Sequence, residues 1–186
     1  IKYKLKYAGQ FFFDKAIDNL KHETEIKYDL FFIGINKGRF KILRPLNNLL
    51  TNKYSLQTNF LFVSKYLCWV SHKYSKPISY DKVIEKINQS KAIFEYNQKG
   101  QSGLTLRCLE AIWLNKKLVT NNQVVRRYDF YNPQNIFIIN DRSWDELVDF
   151  LNTPLIEYDN EIKQRYSFTK WLNRIIFNTP LKEDWE

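Results

Sequence analysis

Apolar residues recur along this chain in two alternating patterns, short continuous runs and stripes spaced three to four residues apart. The runs at Tyr28–Ile35, 118–119 and 135–139 predict buried strands, and 56–63 and 91–96 predict two more strands. Between them lie helix-period stripes. Phe40, Leu43, Leu46 and Leu50 mark a helix over about 38–52, with Pro45 inside it predicting a kink or a late start. Val83, Ile84 and Ile87 mark a second helix, with Ser79 as its cap and Asp81 in its first turn. Ser143 and Glu146 stand three apart before Leu147, Val148 and Leu151, the spacing of a capping box. A last helix over about 167–177 is expected to bury Trp171, Leu172, Ile175 and Ile176. Strands alternating with helices in this way predict an α/β fold, a Rossmann-like parallel sheet flanked by helices, with C-terminal helices beyond it.

The stretch NQKGQSGLTLRCLEAIWLNKKLVT, residues 97–120, links the two patterns. Gly100 and Gly103 open onto a helix-period run in which Leu104, Cys108, Ala111 and Ile112 share one face, while Thr105, Arg107 and Glu110 fall on the other. A strand, a glycine loop and a helix start in that order suit an anion: free N–H groups point out of the first helical turn, and glycines let a phosphate approach the backbone. Two glycines before an amphipathic helix also occur in ordinary turns. Arg107 and Glu110, three apart, can equally be a surface ion pair worth a few tenths of a kcal/mol.

The segment GQSGLTLRCLEAIWLNKKLVTNN resembles the donor side of bacterial glycosyltransferases with the two-lobed GT-B arrangement. It is similar in particular to the CgeB-like group of capsule and lipopolysaccharide biosynthesis enzymes. YDLFFIG, ISYDKVIEKINQSKAIFEYN and YDFYNPQNIFII extend the likeness over about 28–139. The resemblance implies a donor-binding lobe, with nucleotide-sugar contacts from Gly34, Lys37, Arg39, Tyr80, Ser102, Gly103, Leu104, Thr105, Arg107 and Glu110. Backbone N–H groups of Gly103, Leu104 and Thr105 would meet the diphosphate, Lys37, Arg39 or Arg107 would neutralise it, and Glu110 would accept from ribose hydroxyls. Many retaining members carry two glutamates seven residues apart. Here Ser102 stands eight before Glu110, which leaves inverting and retaining transfer both open.

Composition sharpens the picture in one respect. The formal charge is +9 over 186 residues, from 29 Lys and Arg against 20 Asp and Glu. Residues 1–80 hold 14 of the basic side chains and 5 of the acidic ones, so the remainder (29 − 14 and 20 − 5) holds 15 of each. No acid occurs between Asp29 and Asp81. A surface built from that segment attracts phosphates, whether of a nucleotide sugar, a lipid-linked acceptor, an anionic membrane or a nucleic acid. Cys68 and Cys108 have no paired spacing and read as free thiols, and His22 and His72 have no ligand partners, so no metal or cofactor is expected.

No apolar run approaches the length of a membrane span and no signal-peptide pattern opens the chain, so it reads as cytoplasmic, or held at the inner face of the membrane. The chain starts at Ile1 and contains no methionine, which suggests a fragment. Residues 1–27, with Phe11, Phe12 and Phe13 and a short helix candidate, read as an inter-lobe connection, 28–156 as the donor-binding domain and 157–186 as a helical extension. The expected activity is nucleotide-sugar-dependent sugar transfer onto a saccharide or lipid-linked acceptor. A non-catalytic Rossmann-like interaction domain is the alternative. A basic nucleic-acid-binding protein is a weaker one, since no recognition motif for nucleic acid is present.

Overall fold

In the computed structural model the described residues are 9–18, 24–98, 100, 101 and 103–177. Five strands form one parallel sheet in the order β2-β1-β3-β4-β5: β1 Tyr28–Ile35, β2 Thr58–Val63, β3 Ser90–Glu95, β4 Lys117–Thr120 and β5 Ile136–Ile138. Its register aligns Phe31 with Ile93, Ile93 with Leu118 and Leu118 with Ile136. Because side chains alternate across a strand, these residues face one layer while Leu30, Phe32, Ala92, Phe94, Val119 and Phe137 face the other. Helices α2 (Tyr80–Asn88) and α3 (Leu106–Trp113) cover the first face through Val83, Ile84, Ile87, Cys108 and Ile112. Helices α1 (Phe40–Tyr54) and α4 (Asp145–Asn152) cover the second through Leu43, Leu50, Leu147, Phe150 and Leu151. The expected Rossmann-like layer is therefore present, buried on both faces as a parallel sheet requires.

The elements depart from the sequence reading in instructive places. Helix α1 begins at Phe40 and runs through Pro45 rather than starting after it. The helical acceptor that proline leaves without a donor is the carbonyl of Lys41, an exposed residue, where water can replace the bond. The same helix ends on Ser55 in the left-handed region, with the N–H groups of Ser55 and Leu56 both turned back to the Leu50 carbonyl. Leu56 thus belongs to the helix stop, and β2 starts two residues later than the apolar run. Between β4 and β5 a short 3-10 turn, Gln123–Arg127, takes the place of a crossover helix. Only half of the expected capping box forms: the Glu146 carboxylate accepts from the Ser143 N–H at 2.7 Å, while the Ser143 hydroxyl donates to that same carboxylate instead of capping α4.

Chain-end segments pack against one another. Phe12 is fully buried; its N–H donates to the Tyr166 carbonyl (2.7 Å), its own carbonyl accepts from Phe168 N–H (2.9 Å), and its ring stacks on Trp113. The helix candidate beside it is a 3-10 turn, Asp14–Ile17, and residues 19–23 lie outside the described residues. Helices α5 (Asn160–Arg165) and α6 (Phe168–Ile176) follow the sheet. The expectation that α6 buries its apolar stripe is corrected: Trp171 packs on Phe11 and donates to the Gly9 carbonyl, but Leu172, Ile175 and Ile176 are exposed. Phe168 and Trp171 are covered by the Phe11–Phe13 strip, while Leu172, Ile175 and Ile176 stay exposed.

Candidate functional site

In a sheet of this order, β1 connects outward to β2 while β3, β4 and β5 extend the opposite way. The loops after β1 and β3 therefore diverge and leave a crevice at the carboxyl end of the sheet, the topological position where open α/β sheets take ligands. Two adjoining cavities of about 580 and 250 Å³ occupy that crevice. Lys37, Arg39, Tyr96, Asn97, Gln98 and Gln101 line both. Asn121, Asn122 and Gln123 close the larger one, and Glu95, Thr105, Leu106 and Arg107 close the smaller.

The loop after β1 is built around Asn36 and Arg39. Asn36 accepts from the Phe40 N–H through its side chain (2.8 Å), fixing the start of α1, and donates to the Tyr74 hydroxyl (3.0 Å). Arg39 spans the crevice floor, donating to the carbonyls of Ile35 and Tyr96 and so tying the loops after β1 and β3 together. Burial draws the guanidinium pKa below its ordinary value. Arg39 fits there because Gly34 has no side chain: a Cβ at Gly34 would stand 2.7 Å from Arg39 Nη2. Gly34 thus serves the site from behind Arg39. Lys37 takes a left-handed conformation (φ 39°) and is exposed on the rim, with its carbonyl accepting from the Gln98 side chain at 2.7 Å.

On the opposite wall, Thr105 is the cap of α3, its hydroxyl accepting from the Arg107 N–H at 3.1 Å. The helix starts at Leu106, two residues after the start of the apolar run at Leu104, so Gly103, Leu104 and Thr105 precede it. Gly103 is in the left-handed region (φ 100°), and its carbonyl accepts from the Asn122 side chain, which draws the glycine loop toward β4. Leu104 is buried under the loop. Ser102 lies outside the described residues.

One expectation is overturned here. Glu110 does not stand on a solvated helix face; it has no exposed surface, and its two oxygens are taken by the Tyr80 hydroxyl (3.0 Å) and the Arg107 guanidinium. Helix α2 is packed beside α3, so the face opposite the core stripe is covered by Tyr80 rather than by water. Burial raises the Glu110 pKa, against the opposing pull of Arg107, and burial with the nearby Glu110 charge pushes the Tyr80 phenol up. Neither Tyr80 nor Glu110 lines the two cavities. Of the expected contacts, Lys37, Arg39, Thr105 and Arg107 come together on the cavity walls, and Glu110 instead orients Arg107 from behind.

Sequence reasoning passed over Glu95 and Asn97. Glu95 ends β3, is almost wholly buried, and accepts from the hydroxyls of Thr105 and Thr120 and from the Cys108 thiol. It joins the ends of β3 and β4 to the cap of α3. Its signal in the sequence is an acid ending the apolar run AIF. Asn97 is pinned by Asn121, whose side chain both accepts from the Asn97 N–H (2.7 Å) and donates to its carbonyl (3.0 Å). The Asn97 side-chain amide is left buried on the cavity wall with its Nδ2 unpartnered among the described residues. A buried donor without a partner is costly, and a ligand acceptor would satisfy it.

Among the described residues no helix is long and apolar enough to cross a membrane. No protein-family model and no curated protein matches this chain.

Proposed function

We propose that this chain is the donor-binding lobe of a nucleotide-sugar-dependent glycosyltransferase acting on a cell-surface saccharide or lipid-linked acceptor. The observation that carries the reading is the crevice at the switch point between β1 and β3, where Lys37, Arg39 and Arg107 converge with the start of α3 and the unpartnered amide of Asn97. Three cations and a helix N-terminus around one opening suit a diphosphate. The adjoining cavities together match the volume of small-molecule sites, about 300 to 1,000 Å³. In this reading Lys37 and Arg107 hold the diphosphate oxygens, Asn97 donates to the donor, and the positive wall stabilises the charge that develops on the leaving diphosphate. Arg39 sets the distance between the two loops and adds field rather than a freely mobile ligand.

The resemblance of 97–120 to GT-B donor segments supports the same assignment. Calorimetric titration of uridine, guanosine and cytidine diphosphates, their sugar conjugates and the parent nucleosides tests it. Saturable binding of one diphosphate series, with the matching nucleoside at least tenfold weaker, is expected. Equal binding of nucleoside and diphosphate, or none of either, overturns it.

A further inference from the structure

The segment after β2 forms a closed loop whose tip is apolar and solvent-facing. Ser64 and Ser75 close its base through paired backbone bonds, Ser64 N–H to the Ser75 carbonyl (3.1 Å) and Ser75 N–H to the Phe62 carbonyl (2.8 Å). At the tip Tyr66, Trp69 and Val70 are 77%, 72% and 79% exposed, and Leu67 is exposed as well. Such side chains normally find cover, and a contiguous exposed cluster marks an interaction site.

Two features specify the occupant. Several of the loop's backbone donors are paired within it: Leu67 N–H donates to the Ser64 hydroxyl, Val70 and Ser71 N–H to the Leu67 carbonyl, and Tyr74 N–H to the Ser71 carbonyl. Tyr74 further anchors the loop by accepting from Asn36 and packing on Phe40. Each such bond lowers the cost of bringing the loop to the edge of a bilayer, because hydrocarbon offers backbone groups no partner. The second feature is charge. Exposed Lys65, Lys73 and Lys76 surround the tip, with Lys76 Nζ 4.0 Å from the Trp69 ring centre, and the nearest acids along the chain are Asp29 and Asp81. Aromatic and aliphatic side chains in a lysine-bearing segment that has no acid complement an anionic lipid surface: Trp and Tyr settle at the headgroup level while lysine ammonium groups stay with the phosphates.

We infer that the loop closed by Ser64 and Ser75 docks this protein on bilayers containing anionic lipid, with Tyr66, Leu67, Trp69 and Val70 entering the interface. The loop leaves the carboxyl end of β2, so docking sets the rim that bears the crevice beside the lipid surface. Membrane docking stands independently of the nucleotide reading, and its test contains no nucleotide.

Flotation of the protein with vesicles of phosphatidylcholine alone, and of phosphatidylcholine and phosphatidylglycerol in equal parts, reads the effect. Binding to the mixed vesicles only, weakened by added salt, is expected. Replacing Lys65, Lys73 and Lys76 by Gln should weaken it roughly fivefold for each lysine removed. Trp69→Ala with Val70→Ala should weaken it by about tenfold or more through lost apolar contact, while circular dichroism and the melting temperature stay unchanged because both side chains are exposed. Phosphatidylcholine brominated on its acyl chains, mixed into the anionic vesicles, should quench fluorescence that Trp69→Phe removes. Absence of vesicle binding, or binding retained by Trp69→Ala with Val70→Ala, overturns the proposal. So does a parent protein that self-associates without lipid and becomes monomeric in that double variant, which would make the patch a contact between copies of this chain.

Discussion

The Tyr80 hydroxyl donates to Glu110 across 3.0 Å, and this bond joins α2 to α3 beneath the crevice rather than inside it. A carboxylate with no exposed surface is held there by one phenol and one guanidinium, the latter itself partly exposed. Glu110 is therefore a buried anchor that aims Arg107.

Glu110→Ala should lower stability by about 2 to 4 kcal/mol, since it opens a cavity and leaves Tyr80 and Arg107 without their acceptor. Glu110→Gln keeps the shape and an acceptor for Tyr80, so a smaller loss is expected. Its pH dependence carries the sharper test. The folded pKa of Glu110 is raised by burial, so the parent is favoured while the carboxyl is protonated and loses that advantage as pH rises from the ordinary value of 4.5 through the folded pKa. The glutamine variant does not titrate, so the stability gap between parent and Glu110→Gln should shrink as pH rises across that window. Urea melts at a series of pH values measure it; a gap that widens with pH would show the ionised form to be the stabilising one.

Lys117 opens β4 and Lys116 just precedes it; their side chains turn to opposite faces of the sheet, and each ammonium caps a different helix end. Lys116 donates to the Asn88 carbonyl at the end of α2, and Lys117 to the Phe150 and Thr153 carbonyls at the end of α4. Burial lowers both pKa values to about 8. Between about 8 and the ordinary 10.5 the unfolded chain holds more protons than the folded one, so stability should rise with pH in that window and fall as pH drops through 8. Discounted for the solvent screening of these partly buried groups, a gain of about 1 to 3 kcal/mol is expected for the pair. It is best measured below 10, above which Tyr80 and Tyr158, kept protonated by burial, act with the opposite sign. Lys116→Met should remove part of the slope; an unchanged slope would assign it elsewhere.

Much of the fold was legible because apolar runs and stripes have only one way to be buried. Leu30, Phe32 and Phe94 against Phe31 and Ile93 give a sheet wet on neither face, and β1 and α2 lie where the pattern put them. What could not be read is which second element covers a polar helix face. Glu110 sits three residues from Arg107 in any helix, but only the packing of α2 decides that Tyr80 closes over it. The roles of Glu95 and Asn97 could not be read for a related reason, since they come from Thr120 at the end of the neighbouring strand and from Asn121 just beyond it. The α6 stripe shows the converse: periodicity reveals an amphipathic helix, not whether anything covers it.

Gly34 and Arg39 should behave as one unit. Gly34→Ala would force Arg39 out of its bridge between the Ile35 and Tyr96 carbonyls, and a loss of about 1 to 3 kcal/mol is expected. In an Arg39→Ala background the alanine at position 34 meets nothing comparable, apart from the Phe32 ring edge at 3.2 Å, and should be nearly neutral. A double-mutant cycle by denaturant unfolding should give a coupling of 1 kcal/mol or more, roughly. Additive losses would mean that Arg39 is not what Gly34 accommodates.

The crevice itself is tested by separating cations that hold structure from cations that hold ligand. Lys37 is exposed and its side chain spans nothing, so Lys37→Ala should leave the melting temperature unchanged and weaken nucleoside diphosphate binding about ten- to a hundredfold, the effect of one charge-assisted contact of roughly 1.5 to 3 kcal/mol. Arg39→Ala should weaken binding and stability together, because the same guanidinium ties the loops after β1 and β3. Asn97→Ala should weaken binding while altering stability little or even raising it, since the variant removes a buried donor that no described residue satisfies. Glu110→Gln should act on binding only through Arg107, so in an Arg107→Ala background it should leave affinity unchanged. Calorimetry with one nucleoside diphosphate, beside thermal melts of the same variants, reads all four. If Lys37→Ala and Asn97→Ala both leave affinity intact, the diphosphate does not sit between the loops after β1 and β3.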